Sequence, residues 1–324
     1  MNPLINSHLT HEILDSSKIK TFNDCNRQFF YEYILGWRLD RPNHDLYFGN
    51  AWHIAREHQL IHGYEDVAGA YTAFINFYRK EFPVETDELY QPKDPMGVAV
   101  ALNKFADQRR SDLIENELLY TEISGTVPIN EKGRVLHYRM DSILRNKESG
   151  KIFSWDHKSA KQFGRMWEDD FALSVQSGTY THCLYCLYPI EEVLGIEFCG
   201  TSFKYLNRGS KMTPQGYNIE FCRVPAWKNP DQMNVWLWNT LDTVNNIDRE
   251  YDRLSDCSDS DRVLQCFPLN PGACTKYRGC VYHDYCMCWP NPLRSCDEPP
   301  LGFKVEYWDP SAMETTNKIN LEWR

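Results

Sequence analysis

Apolar positions recur at helical spacing through the first third of the chain and change to strand-like patterns from residue 118. Over 18–37, Phe22, Phe29, Phe30, Tyr31 and Tyr33 fall in a helical run that contains Cys25 and is closed by Gly36. A second helix is expected to start near Tyr47 or Phe48 and to carry His53 and Glu57, with more helical sequence over 71–82 and 98–116. Residues 118–129, 134–145 and 151–158 then alternate or run apolar. The turn-forming stretches Asn130-Glu131-Lys132-Gly133 and Glu148-Ser149-Gly150 separate them, which predicts a three-stranded meander. A helix over 168–188, stopped by Pro189, leads into two further strands at 194–206 and 217–224. The stretch 232–254 is helical again, with Val235, Leu237, Leu241, Val244 and Ile247 loosely on one side.

Helices, strands, a helix and strands again predict an α/β fold, a mixed central sheet flanked by helices. Four regions follow: a helical N-terminal region at 1–117, the sheet-bearing core and its following helix at 118–255, a Cys-rich region at 256–298 and a loosely attached tail at 299–324. The Cys-rich region is dense in Pro, Gly and aromatics, a composition suited to organisation by a bound metal centre more than by a core of its own.

At 324 residues and 42% hydrophobic content the chain can bury a sizeable core. Its net charge of -10 provides no general field to draw it onto nucleic acid, so any such contact needs a local groove. The start of the chain has no apolar run behind a basic segment, and no stretch is apolar for long enough to span a membrane, so a soluble, cytoplasmic protein is expected. In a reducing compartment twelve cysteines point to metal ligation or burial rather than to a disulfide framework.

Two acids interrupt strand patterns that otherwise seek burial: Asp141 after Tyr138-Arg139-Met140, and Asp156 after Phe153-Ser154-Trp155. Carboxylates brought together repel, and a divalent cation relieves that repulsion while polarising a phosphoryl oxygen and lowering the pKa of bound water. Lys158 leaves a strand on the same face as Asp156 and can orient the attacking water or stabilise charge on phosphate; a surface salt bridge is the plainer alternative. His53 can complete the ligand set, favouring manganese over strict magnesium, or can simply bond Glu57 one helical turn away. Gly49, four residues before His53, lacks a side chain and permits close backbone packing. Gln176 and Tyr180 share a helical face and can fix a substrate phosphate or the lysine, with helix packing as the alternative. Glu122, on the first strand of the meander, is either a further ligand or an exposed strand residue.

In order, Gly49-x-x-x-His53, Asp141, Asp156-His157-Lys158 and Gln176-x-x-x-Tyr180 resemble the RecB-like branch of the PD-(D/E)XK nucleases, which includes CRISPR adaptation nucleases and many phage exonucleases. The resemblance covers most of the chain. It implies a restriction-endonuclease-like core, Mg²⁺ or Mn²⁺ held by His53, Asp141 and Asp156, and Lys158 assisting the hydrolytic water. His157 departs from the family, which usually has an apolar or aromatic residue there. Its backbone carbonyl can still ligate the metal, while its imidazole points to the opposite strand face.

Several members of that family carry a four-cysteine iron–sulfur cluster, with one cysteine before the core and three after it. Cys25 and Cys274-x5-Cys280-x5-Cys286 show the same split, although two of the family's trailing cysteines usually stand closer together. The resemblance therefore implies a structural [4Fe–4S] cluster on Cys25, Cys274, Cys280 and Cys286. The alternative is structural Zn²⁺ drawn from Cys274, Cys280, His283, Cys286 and Cys288. Cys183 and Cys186 read as buried core, and Cys199, Cys222, Cys257 and Cys296 have no evident partner.

The activity implied is a metal-dependent DNA exonuclease acting on single-stranded or end-exposed DNA in recombination, repair or phage DNA processing, with a helicase or recombination protein as a further partner. Lys161, Arg165, Lys204, Arg208 and Lys211 are candidates to line a DNA groove, and Trp155 and Trp167 to stack on unpaired bases. The rival reading is a non-catalytic DNA-end-binding accessory protein on a nuclease scaffold.

Overall fold

Side-chain caps supplied by the sequence open the N-terminal helices. The computed structural model describes residues 12–209, 215–275, 279–313 and 317–323. Asp15 accepts from Lys18 N at 2.8 Å and starts α1 (Ser16–Asp24). The single helix expected over 18–37 is broken at Cys25, whose extended backbone (φ -162°) separates α1 from α2 (Asn26–Phe29). A π-helical turn, Phe30–Ile34, follows, and Gly36 at φ +66° redirects the chain into β1 (Trp37–Leu39). Asn43 caps α3 (His44–His62), and Asp66 caps α4 (Val67–Tyr78). A short α5 (Asp87–Tyr90) precedes α6 (Pro95–Gln108), which has Asp94 as cap and Pro95 at its first turn. The short α7 (Asp112–Glu115) closes this helical third.

The expected meander is present as β2 (Asn116–Pro128), β3 (Val135–Asn146) and β4 (Ile152–Ala160). The expected helix over 168–188 is two helices, α8 (Arg165–Ala172) and α9 (Val175–Leu187), because Ser174 takes an extended conformation and caps α9. They carry the crossover from β4 to the parallel strand β5 (Val193–Leu206), which pairs antiparallel with β6 (Gly216–Trp227). Asn229 and Gln232 form a capping box at the start of α10 (Pro230–Ser255).

After α11 (His283–Cys288), the segment expected to be a loose tail is tied to the body. Its β7 (Phe303–Val305) pairs with β1, and its β8 (Asn317–Lys318) adds a parallel edge to β2. Trp308 Nε1 also donates to Asp15 at 2.8 Å. The main sheet has the order β6-β5-β4-β3-β2-β8. Tyr180 and Leu184 of α9, Ile19 of α1 and Trp236 and Ile247 of α10 share one buried cluster with Met140 and Phe198. Phe48 and Trp52 of α3, Phe74 of α4 and Leu102 of α6 form another with Phe203 and Ile219, so helices flank the sheet.

The Cys-rich region has more of a core than its composition predicts. Tyr282 stacks on Tyr31 with ring centroids 5.2 Å apart and donates its hydroxyl to Trp37 O at 2.6 Å. Buried Arg27 donates from Nε to Phe267 O at 2.9 Å, joining the N-terminal helices to the Cys-rich region.

Candidate active site

Strands β3 and β4 pair only from Ser142–Trp155 to Arg145–Ile152. Asp141 and Asp156 are the next residues on each strand, where the ladder ends. His157 N donates to Asp141 Oδ2 at 2.8 Å, which closes the split from the β4 side.

His53 projects from α3 to Asp141, Nδ1 to Oδ2, at 2.9 Å. Its partner is therefore Asp141 and not Glu57. Burial alone would lower the His53 pKa, but the Asp141 carboxylate outweighs it and holds the imidazole above its ordinary value. The same contact, with Lys158 and His157 nearby, overcomes burial at Asp141 and holds that carboxyl well below the usual range. Asp156 goes the other way: burial dominates and the neighbouring Asp141 adds to it, so its pKa is raised even with Lys158 beside it. Lys158 Nζ lies 2.7 Å from Asp156 Oδ2; the acid's side chain is 2% exposed and the lysine's 28%. The pair is thus half in the cleft, not the surface bridge that was the alternative reading.

Gln176, in the first turn of α9, donates from Nε2 to Asp156 Oδ1 at 3.1 Å and to Tyr180 Oη at 3.0 Å. Tyr180 in turn donates its hydroxyl to Arg139 O. One helical face thereby fixes a carboxylate on β4 and the backbone of β3.

The His157 imidazole is 2% exposed, and burial with nearby Arg56 pushes its pKa well below the ordinary value. A Cβ built on Gly49 would meet nothing within 4 Å, so this glycine leaves space near His53 and does not serve the close packing expected of it.

Glu122, for which the sequence allows either a ligand or an exposed strand residue, lies beside Arg139 in the site. Glu122 is 9% exposed and falls opposite Asp141, between the pairs Thr121–Ser142 and Ile123–Met140. Burial, with Asp141 adding to it, raises its pKa to about 7. Arg139 Nε donates to Glu122 Oε2 at 2.6 Å. Glu57 is also raised, by burial first and then by Asp141. The signal available in the sequence was strand parity, since Arg139 precedes Asp141 by two positions.

Other candidates separate. Trp155 is 1% exposed and donates Nε1 to Glu197 at 2.9 Å, so it is core and cannot stack on bases. Trp167 is half-buried between Phe163 and Phe171. Lys204 is paired with Glu220 and Arg165 with Asp169, while Lys211 lies outside the described residues.

Cys25, Cys274, Cys280 and Cys286 share one neighbourhood. Burial raises the Cys280 thiol, and Cys25 and Cys274 push it further. Cys286 is pushed up to about 12 by burial, with Cys280, Cys25 and Cys274 contributing and Arg27 opposing. Cys288 is exposed, and His283 faces Asp284 at 3.2 Å. Cys183 and Cys186 are buried as expected, whereas Cys257 has a partner after all, with its Sγ 3.8 Å from Cys266 Sγ. Among the described residues, no three His, Cys, Asp or Glu side chains converge at ion-holding distance as they stand.

A mixed sheet that opens between two acids, with a lysine on the second strand and helices on both faces, is a restriction-endonuclease-like core. Residues 16–287 match the PD-(D/E)XK nuclease superfamily, and the chain belongs to it. No curated protein matches the chain. No helix among the described residues is long and apolar enough to cross a membrane.

Proposed function

We propose that this chain is a divalent-metal-dependent DNA exonuclease of the RecB-like kind, acting on single-stranded or end-exposed DNA. The observation that carries this reading is the pairing of Lys158 with Asp156 beside Asp141, at the point where β3 and β4 part. His53, Asp141, Asp156 and the backbone carbonyl of His157 would hold Mg²⁺ or Mn²⁺. The donor chemistry suits such an ion, mostly oxygen with one nitrogen: the Asp141 carboxylate meets the His53 imidazole, and Asp156, whose pKa burial raises with Asp141 adding to it, stands on the neighbouring strand where a cation would stabilise its charge. When bound, the ion supplies Lewis-acid polarisation of the phosphoryl oxygen and activation of water.

The side chains do the rest. Lys158 presents its ammonium beside Asp156, where it orients the attacking water and stabilises charge growing on the phosphate. Gln176 fixes the Asp156 carboxylate, and Tyr180 pins the β3 backbone before Asp141, so that both acids are held before substrate arrives. Cys25, Cys274, Cys280 and Cys286 would hold a structural [4Fe–4S] cluster, with structural Zn²⁺ as the alternative; the influence of Cys25 and Cys274 on the Cys280 and Cys286 thiols supports this four-cysteine set.

The test is hydrolysis of end-labelled single- and double-stranded DNA with Mn²⁺, comparing the parent with Asp156→Ala and Lys158→Ala. Cleavage by the parent alone supports the enzyme. Binding without cleavage by the parent would establish the DNA-end-binding accessory protein instead.

A further inference from the structure

We propose that Arg139 binds a phosphate of the DNA strand in this site and that Glu122 is the residue that positions it. The assignment rests on the nuclease reading above and concerns two side chains which that reading leaves unused.

Along β3, Tyr138 and Met140 are buried while Arg139 is exposed and Asp141 half-buried, so Arg139 and Asp141 leave the strand on the same face. The Arg139 backbone is fixed, since its carbonyl accepts the Tyr180 hydroxyl. Its side chain is 42% exposed, against 12% for Glu122, so the guanidinium stands at the cleft while its partner lies beneath. Glu122 takes only the Nε edge, at 2.6 Å. The terminal amino groups make no hydrogen bond among the described residues, and they point to an acceptor from outside the chain. Beside a phosphodiesterase centre that acceptor is a non-bridging phosphate oxygen, which a guanidinium fork holds better than an ammonium. A chain of net charge -10 needs such local cations to hold a polyanion.

Glu122 is placed at some expense. Its φ of +45° lies in the left-handed region, which a glutamate in a strand rarely adopts, and it puts a second carboxylate opposite Asp141. Arg139 is within the influence of Asp141 as well as Glu122. Without Glu122 the guanidinium would turn to Asp141 and take the place a metal or substrate needs. Glu122 therefore keeps the cation close to the acids without letting it neutralise them.

The experiment uses the full chain and linear single-stranded DNA, with steady-state cleavage in Mn²⁺ and equilibrium binding in Ca²⁺ at several salt concentrations. Arg139→Ala is expected to raise KM about 10- to 100-fold, the size of a charge-assisted hydrogen bond to phosphate. It should also lower the slope of log affinity against log salt by about 0.7, one phosphate contact on a single strand. Arg139→Lys should restore the slope but not the whole KM, and Glu122→Gln should raise KM with the slope retained. A substrate carrying one neutral methylphosphonate, scanned through the positions around the cleaved bond, should weaken the parent at one position where it leaves Arg139→Ala unaffected. If the parent cuts DNA and Arg139→Ala keeps its KM and salt slope, the assignment is wrong and the nuclease reading stands. If Arg139→Ala loses only kcat, or melts at lower temperature with its salt slope unchanged, Arg139 does not bind phosphate. A parent that neither binds nor cuts DNA removes both proposals together.

Discussion

Lys158 Nζ sits 2.7 Å from Asp156 Oδ2, a lysine at the mouth of the cleft holding a carboxylate that is 2% exposed. Lysine and metal would then serve the same buried charge. Removing the lysine should leave Asp156 uncompensated and cost on the order of 2 kcal/mol, less than a fully buried pair because Lys158 is partly solvated. Lys158→Ala in EDTA is expected to melt below the parent, and Mn²⁺ should raise its melting temperature by more than it raises the parent's. An equal Mn²⁺ shift in both proteins would separate the lysine from the metal position.

The His53–Asp141 contact sets a pH dependence for the metal-free protein. His53 is raised above its free value, so its contribution to stability is complete below about pH 6.5 and fades as pH rises through the raised pKa. Asp141 is held low, so its contribution is present above about pH 4 and is lost only as pH falls through the depressed value. In EDTA, stability should therefore decline above about pH 6.5 in the parent and decline less in His53→Ala. Mn²⁺ competes with the His53 proton, so its binding should tighten with pH and release protons, which calorimetry in buffers of different ionisation enthalpy reads directly. A decline of equal size in His53→Ala would assign the effect elsewhere.

Gly178 faces Trp236 so closely that a Cβ there would meet the indole Cδ1 at 2.1 Å. Gly178→Ala is thus expected to push α9 from α10 and to cost about 1–3 kcal/mol as overpacking. Because Gln176 and Tyr180 ride on α9, cleavage should fall with stability, and urea denaturation alongside rate measurements will show whether the two move together.

The proposed [4Fe–4S] cluster predicts a brown, iron-containing protein when purified without oxygen. Cys25→Ser and Cys286→Ser should each lower iron content and melting temperature. The fold should survive in part, since the Tyr31–Tyr282 stack and the Arg27 bond to Phe267 O also join the N-terminal helices to the Cys-rich region. Stoichiometric zinc in place of iron would reverse the cofactor assignment.

Much of this was legible in the sequence. The strand runs around Asp141 and Asp156 stand out because an acid within an apolar run has few structural uses, and the turns that separate them are strong local signals. The aromatic run hides the break at Cys25, although Asn23, Asp24 and Asn26 are poor helix formers, and the hydrogen bonds that accompany it come from far along the chain: Asn270 donates to Asp24 O at 2.7 Å and Arg27 N donates to Pro268 O at 3.2 Å. The β7 and β8 pairings were hidden for a similar reason: strands of three and two residues carry no period of their own and exist through their partners. Trp155 misled as a base-stacking candidate because sequence cannot tell a buried ring from an exposed one, and its indole proton is satisfied by Glu197, 42 positions away. The pairing of Arg139 with Glu122 crosses strands, so neither residue announces the other.

The central claim is tested most directly by incubating end-labelled linear single-stranded DNA and the same sequence as a closed circle with the parent protein and Mn²⁺. The account predicts short products released progressively from the linear strand, an intact circle, and rates lower by about 10²–10⁴-fold for Lys158→Ala and Asp156→Ala. Cutting of the circle would contradict the exonuclease assignment, and a linear strand left whole by the parent would contradict the nuclease itself.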